Sequence, residues 1–506
     1  MRTMGLVAGA AVAVLGLAGS AAAVPVTAPV SIDSGRLVGS SENGVGAWMG
    51  IPYAAPPVGA LRWKPPQPVK AWSGERAAAQ PGPNCAQVVR GGAMNGGGVS
   101  SKGEEDCLTL QVFAPTGAKK APVMVWLHGG ANMTGASSLA GYNGSAFARD
   151  GVLLVAVNYR LGPFGFFAHP ALSKAAPSGE LLANYGLMDQ IAALKWVQRN
   201  IAAFGGDPSN VTVFGESAGG EDTLALLSMP STRGLFAKAI VESGLGWEDD
   251  PTLAQAETQG VEVARKAGAP ADATADQLRA LPVDALLDAT SRAGRVIDGR
   301  LLPETPAQAF ARGHAHDVPL IIGSNSWEGS LVARYAETPL GAKGYLARQP
   351  DGVKPAYAGL DDKIAAYAMF NDGVMGAPAR WIAGKASTGA PSWLYYFSFV
   401  PAAQRATLPG TSHAGEIRYA FGSWDGTRGP QPDEETLALT KVVHACWVSF
   451  AKNGRPEKCA PGGWPEYDPV KDQLMEFSVS TGLRTNFRKP QLDAWEAAKP
   501  DLVSGK

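Results

Sequence analysis

Gly215-Glu216-Ser217-Ala218-Gly219 has the residue types and spacing for nucleophilic acyl transfer. A serine hydroxyl attacks a carbonyl carbon only when it stands clear of the backbone and a base can take its proton. The glycines flanking Ser217 allow a sharp turn in which neighbouring backbone comes too close for side chains. The four residues before it, Val-Thr-Val-Phe at 211–214, are β-branched and aromatic and predict a buried strand. A helical pattern follows at 223–227. Strand, turn and helix in that order lift the hydroxyl off a sheet and aim a helix N-terminus at the reacting atoms.

Such a turn needs a sheet around it. Continuous apolar runs at 123–127 and 152–157 read as buried parallel strands, and 239–241, 318–323 and 393–399 supply further ones. Between them, Leu187, Ile191, Leu194, Val197 and Ile201 recur near helical spacing, predicting a helix over 184–204. Alanine-rich helical segments fill 252–292 and read as an excursion from the sheet. Apolar strands alternating with amphipathic helices specify an α/β chain with a mostly parallel sheet. Residues 31–66 hold strand-like pieces broken by turns. The prolines at 52, 56 and 57 exclude a helix there and predict loop packed on the body.

The 506 residues are 45% hydrophobic and 18% charged with a formal net charge of -1, an ordinary globular balance with ample core. No lysine or arginine block stands out, which argues against nucleic acid or an anionic membrane as partner. Arg2, the small apolar run at 5–19 and Ser20-Ala21-Ala22-Ala23 read as a signal peptide over 1–23. The run is short for a spanning helix, so 24–506 is expected as one exported catalytic domain with no membrane partner after cleavage. Cys85, Cys107, Cys446 and Cys459 all follow the signal, and export favours two disulfides. Cys85 and Cys107 bracket a glycine-rich stretch at 91–98. The cysteine and histidine spacings match no zinc motif, and no metal or other cofactor is implied.

Several ordered blocks resemble the type-B carboxylesterases of the α/β-hydrolase fold, a family that also holds cholinesterases, some lipases and non-catalytic neuroligins. They are Gly50-Ile-Pro-Tyr-Ala54, Leu61-Arg62, Glu105-Asp106-Cys107-Leu108 and His128-Gly129-Gly130-Ala131. Asn158-Tyr159-Arg160-Leu161-Gly162, Asn184-Tyr-Gly-Leu-Met-Asp-Gln190, Phe204-Gly-Gly-Asp-Pro208 and the serine turn follow. Pairing of sequence neighbours, Cys85 with Cys107 and Cys446 with Cys459, fits the two loops, and the first pair matches the family.

In that fold the catalytic order is serine, acid, histidine. Of six histidines, only His413 and His444 lie well beyond the turn and away from a helix–strand linker. Ser412-His413-Ala414-Gly415-Glu416 is loop-like and resembles the family's histidine loop, whereas His444 falls in a helical run and reads as a packed core residue. Glu328 follows a buried strand directly and resembles the family's glutamate before glycine, at the strand end where α/β sheets place their sites. By resemblance the oxyanion donors are the amides of Gly130, Ala131 and Ala218, and His128 is structural. Ser243 resembles a serine that supports the acid, or is a plain turn residue.

The resemblance implies a serine hydrolase acting on small-molecule carboxylic esters through an acyl-enzyme. A binding protein that lost catalysis would lack part of the triad, and a lipase would need an apolar lid, whereas the stretch from Cys85 to Cys107 is small and polar. The chain departs from the family pattern at Asn132, where an aromatic residue is usual, and at Glu221 and Asp222, where small residues are usual. The two acids read as favourable charge in a helix's first turn, or as an attraction for a cationic group. No aromatic residue lies between Cys85 and Cys107 to hold a quaternary ammonium, so neutral esters are expected as substrates.

Overall fold

Alternate residues of the apolar runs face opposite sides of one sheet. Val123, Val125 and Val213 belong to one core, and Met124, Trp126 and Phe214 to another on the reverse face. The computed structural model describes residues 26–89, 101–247, 249–333, 338–424, 431–457 and 459–504. The signal segment over 1–23 and the glycine stretch at 91–98 lie outside them.

In chain order the main strands are β1 (Ser40–Glu42), β2 (Val45–Pro52), β3 (Thr109–Pro115), β4 (Ala121–Leu127), β5 (Leu153–Val157) and β6 (Gly206–Glu216). Then come β7 (Lys238–Glu242), β8 (Leu320–Asn325), β9 (Ser392–Phe397), β10 (Gln473–Phe477) and β11 (Gly482–Thr485). Their spatial order is β11-β10-β9-β8-β7-β6-β4-β5-β3-β2-β1. Neighbours from β10 to β5 run parallel, and both margins are antiparallel. Helix α1 (Tyr185–Asn200) and helix α2 (Ala218–Ser228) cover one face through Leu187, Leu194, Leu224 and Leu227. Helix α3 (Glu434–Asn453) covers the other through Val443, Trp447 and Phe450. Helices on both faces of a largely parallel sheet are the α/β architecture that the apolar runs predicted.

One local expectation is corrected. Gly50-Ile51-Pro52 closes β2 and pairs with β3, with a register shift between Trp48 and Ile51, instead of lying as loop on the body. Pro52 is tolerated because β1 pairs only with residues 45–47 of β2, so at Pro52 no neighbouring strand asks for an N–H on that side.

The blocks that carry the family resemblance tie to one another. Arg62 grips Glu105 with Nε–Oε2 at 2.7 Å and Nη2–Oε1 at 2.5 Å. Arg160 does the same to Asp189, with both contacts at 2.7 Å, and Tyr159 Oη donates to the carbonyl of His128 at 2.6 Å. Both charged pairs are bidentate; Arg62–Glu105 is partly buried and Arg160–Asp189 buried, so removing either partner of the latter leaves a charge stranded in a dry interior. Cys85 is bonded to Cys107 and Cys446 to Cys459.

Candidate active site

Strand β6 ends at Glu216 and α2 begins at Ala218, leaving Ser217 at φ 55° and ψ −125°. That conformation costs a non-glycine residue roughly 1–3 kcal/mol, so the surroundings must impose it. They do so by close packing. A Cβ on Gly219 would lie 1.9 Å from the carbonyl oxygen of Leu127, and one on Gly129 would lie 3.0 Å from Ser217 Cβ. The Ser217 amide donates to the Glu242 carbonyl at 2.9 Å, joining the turn to β7.

Glu328 follows β8 and His413 lies beyond β9, two strands whose C-terminal ends share an edge with that of β6. The two loops are stitched together. Trp327 N donates to Thr411 O at 2.8 Å, Asn325 Nδ2 to Ser412 O at 3.0 Å, and His413 N to Ser330 Oγ at 3.0 Å. His413 Nδ1 then meets Glu328 Oε2 at 2.6 Å. The other carboxylate oxygen accepts from Ser243 Oγ at 2.5 Å and Asn325 N at 2.7 Å, so Glu328 is fully buried yet satisfied. Fixing Nδ1 against a carboxylate sets the tautomer and turns Nε2 toward the serine turn, as a general base requires.

Three more buried carboxylates cluster here, Glu216 and Glu416 by the ring and Glu242 beside those two. Glu216 Oε1 lies 3.1 Å from His413 Nε2, Glu416 accepts from Asn325 Nδ2, and Glu242 accepts from Trp447 Nε1 at 2.8 Å. One oxygen of each accepts no hydrogen bond among the described residues. Burial raises all three carboxyls, Glu416 to about 7 with help from the neighbouring Glu328 charge. Burial works against the His413 imidazolium, but the Glu216 and Glu328 charges outweigh it and carry the ring up to about 10. Glu216, Glu416, Asn325 and Ser330 escaped the sequence reading. The only signals available were their positions beside the serine, the acid and the histidine.

Gly130 and Ala131 have φ 116° and 56°, and among the described residues neither amide donates a hydrogen bond. Ala218 is the first residue of α2, so its N–H has no partner four residues back. Three donors are thus present where the loop after β4 meets the turn. His128 is structural in character: buried, stacked on Tyr159 at 4.5 Å, and lowered to about 4 by that burial. His444 is likewise packed, with Nδ1 at 2.7 Å from the Ala420 carbonyl. Beside Ala131 and Asn132 opens a cavity of about 390 Å³, whose charged wall includes Glu221, Asp250, Arg292 and Arg295.

Residues 26–349 and 360–495 match the Carboxylesterase family. The chain belongs to that family. It is 38% identical to para-nitrobenzyl esterase of Bacillus subtilis over 87% of this chain and 92% of that one. It is 34% identical to fumonisin B1 esterase of Sphingopyxis macrogoltabida over 91% and 90%. Among solved structures, a carboxylesterase of Geobacillus stearothermophilus superposes with a TM-score of 0.82 at 32% identity, over 92% of this chain and 99% of that one. The molecule is therefore a carboxylic ester hydrolase with the α/β-hydrolase fold. Among the described residues of this carboxylesterase, no helix is long and apolar enough to cross a membrane.

Proposed function

We propose that the mature chain, 24–506, is a single exported domain that cleaves carboxylic esters through an acyl-enzyme on Ser217. His413 takes the serine proton as Oγ attacks the ester carbonyl, and Glu328 holds the ring and stabilises the imidazolium. The amides of Gly130, Ala131 and Ala218 receive the oxyanion, His413 then protonates the leaving alcohol, and water repeats the sequence on the acyl-enzyme. The observation that carries this reading is the 2.6 Å contact between His413 Nδ1 and Glu328 Oε2, on loops at the sheet edge that also bears the strained Ser217. The leader-like residues 1–23 and the two disulfides support export. A fluorophosphonate should label Ser217, and Ser217→Ala should abolish labelling and lower kcat by roughly 10⁴-fold or more with the fold intact. Near-normal turnover by a folded Ser217→Ala protein would overturn the assignment.

A further inference from the structure

Two of the chain's departures from the family pattern meet in one hydrogen bond. Asn132 Nδ2 donates to Asp222 Oδ1 at 3.1 Å, and Gln190 Nε2 donates to Asp222 Oδ2 at 2.6 Å. All three side chains are buried, Asp222 and Gln190 completely. Asn132 belongs to the loop after β4, and Asp222 lies on α2 one turn beyond Ala218.

These are the two bodies that must agree if the oxyanion donors are to converge. Gly130 and Ala131 bring their amides on the loop, while Ala218 brings its own on the helix. The loop cannot hold its shape by itself, because Ala131 at φ 56° and Asn132 at φ 54° are both left-handed. Each such residue costs about 1 kcal/mol or more and persists only where its surroundings fix it. Some restraints are local: Met133 and Thr134 donate to the Gly130 carbonyl at 3.0 and 3.1 Å, and Gly162 N donates to the Asn132 carbonyl at 2.7 Å. None of these reaches α2. The Asn132–Asp222 bond does, and Gln190 braces the carboxylate from α1. Burial raises the Asp222 carboxyl to about 6, and the Arg295 charge and the two amide donors favour its ionised form.

We propose that Asp222 is a positioning residue, which through Asn132 sets the Gly130–Ala131 amides against the Ala218 amide. The inference rests on the serine-hydrolase reading above. It predicts a loss in the transition state with little change in ground-state binding, because the oxyanion forms only as the serine adds.

The test compares Asp222→Ala, Asn132→Gly and the double variant, with a neutral ester as substrate and an alkyl trifluoromethyl ketone as transition-state analogue. Glycine is chosen at 132 because it keeps the left-handed backbone while removing the amide. Each single change should lower kcat by about tenfold or more, with KM held within about threefold. The affinity for the ketone should fall by the same factor as kcat/KM. The double variant should be no worse than the poorer single, since both cut one link. Asp222→Asn should recover most of the loss, because the Gln190 amide can turn its unpartnered Oε1 toward the new NH₂ while Asn132 keeps its acceptor.

Unchanged ketone affinity in folded Asn132→Gly, or penalties that multiply in the double variant, would overturn the inference. Asn132→Gly reads the link from the loop side, so it decides the matter even where Asp222→Ala fails to fold. The wider reading fails separately: a wild-type protein that fluorophosphonate does not label would remove the serine mechanism itself.

Discussion

Glu216 Oε1 sits 3.1 Å from His413 Nε2, close enough for an ion pair, yet it accepts no hydrogen bond among the described residues. The carboxylate is therefore beside the ring nitrogen without lying along its N–H. In that position it stabilises the imidazolium electrostatically without accepting its N–H.

The consequence is a pH profile. In the proposed mechanism His413 acts as base only when neutral, and it is raised to about 10, with Glu216 the largest favourable charge opposing burial. Activity should therefore climb as pH rises through the alkaline range. Glu216→Gln removes the largest of the charges that raise the ring, leaves those of Glu328 and Glu416, and should move the rising limb of kcat/KM toward acid by about one pH unit or more. A pH-stat series with ethyl butyrate measures it, and a limb in the same place for both proteins would exclude Glu216 as the cause.

Ser243 offers a second measurement. Its hydroxyl donates to Glu328 at 2.5 Å from a backbone at φ 48°, so Ser243→Gly removes the donor without adding strain. Losing a hydrogen bond to a buried charge costs about 1.5–3 kcal/mol. Glu328 keeps the Asn325 amide and His413, so the expected result is a fall in kcat of roughly tenfold with KM little altered. A variant with wild-type kcat would reduce Ser243 to a turn residue.

The parallel core of the fold was legible because its strands are unbroken apolar runs and its helices keep their spacing. The antiparallel margin was not. β2 carries Gly50 and Pro52, which read locally as loop, and only its long-range partner β3 makes it a strand. Ser217, Glu328 and His413 could be proposed as a triad because each stands in a local motif. Glu216 and Glu416 could not be assigned a part, since a carboxylate's burial depends on loops that the chain brings together over some two hundred residues. Asn132 and Asp222 show the same limit. Each looked like an isolated departure, and only the fold shows that they are one interaction.

The disulfides give a prediction about stability alone. Cys446 is fully buried on α3 among aromatic residues, and its bond to Cys459 closes a loop of sequence separation 13. In the chain-entropy model, such a loop contributes about 3 kcal/mol. Cys446→Ala with Cys459→Ala should lower stability by about that amount while activity per folded molecule is kept. Peptide mapping without reductant checks the pairing itself, and a peptide joining Cys107 to Cys446 would contradict it.

The last prediction concerns charge on the alcohol. Glu221 and Asp222 could have drawn a cationic substrate, but neither is available to do so. Asp222 is sealed behind Asn132 and Gln190, and Glu221 Oε2 faces Arg295 Nη1 at 3.3 Å. Asp250 is bound to the same guanidinium at 3.3 Å, and the exposed Arg292 adds a second positive charge to the cavity wall. Phe166 and Phe167 do line the cavity, yet both are buried and Phe167 is stacked on Trp63 at 4.5 Å, which removes a face a cation could use. A trimethylammonium would lose hydration there with no open ring face, against carboxylates that Arg295 already holds and with only the exposed Asp249 of the lining acids outside those pairs. Butyrylcholine and 3,3-dimethylbutyl butyrate match in acyl group and shape and differ only in charge. The uncharged ester should show the higher kcat/KM, by about tenfold, equivalent to about 1.4 kcal/mol. Preference for the choline ester would mean that Asp249 or another acid at the cavity rim acts as a cation site, and that the arginines do not neutralise this wall.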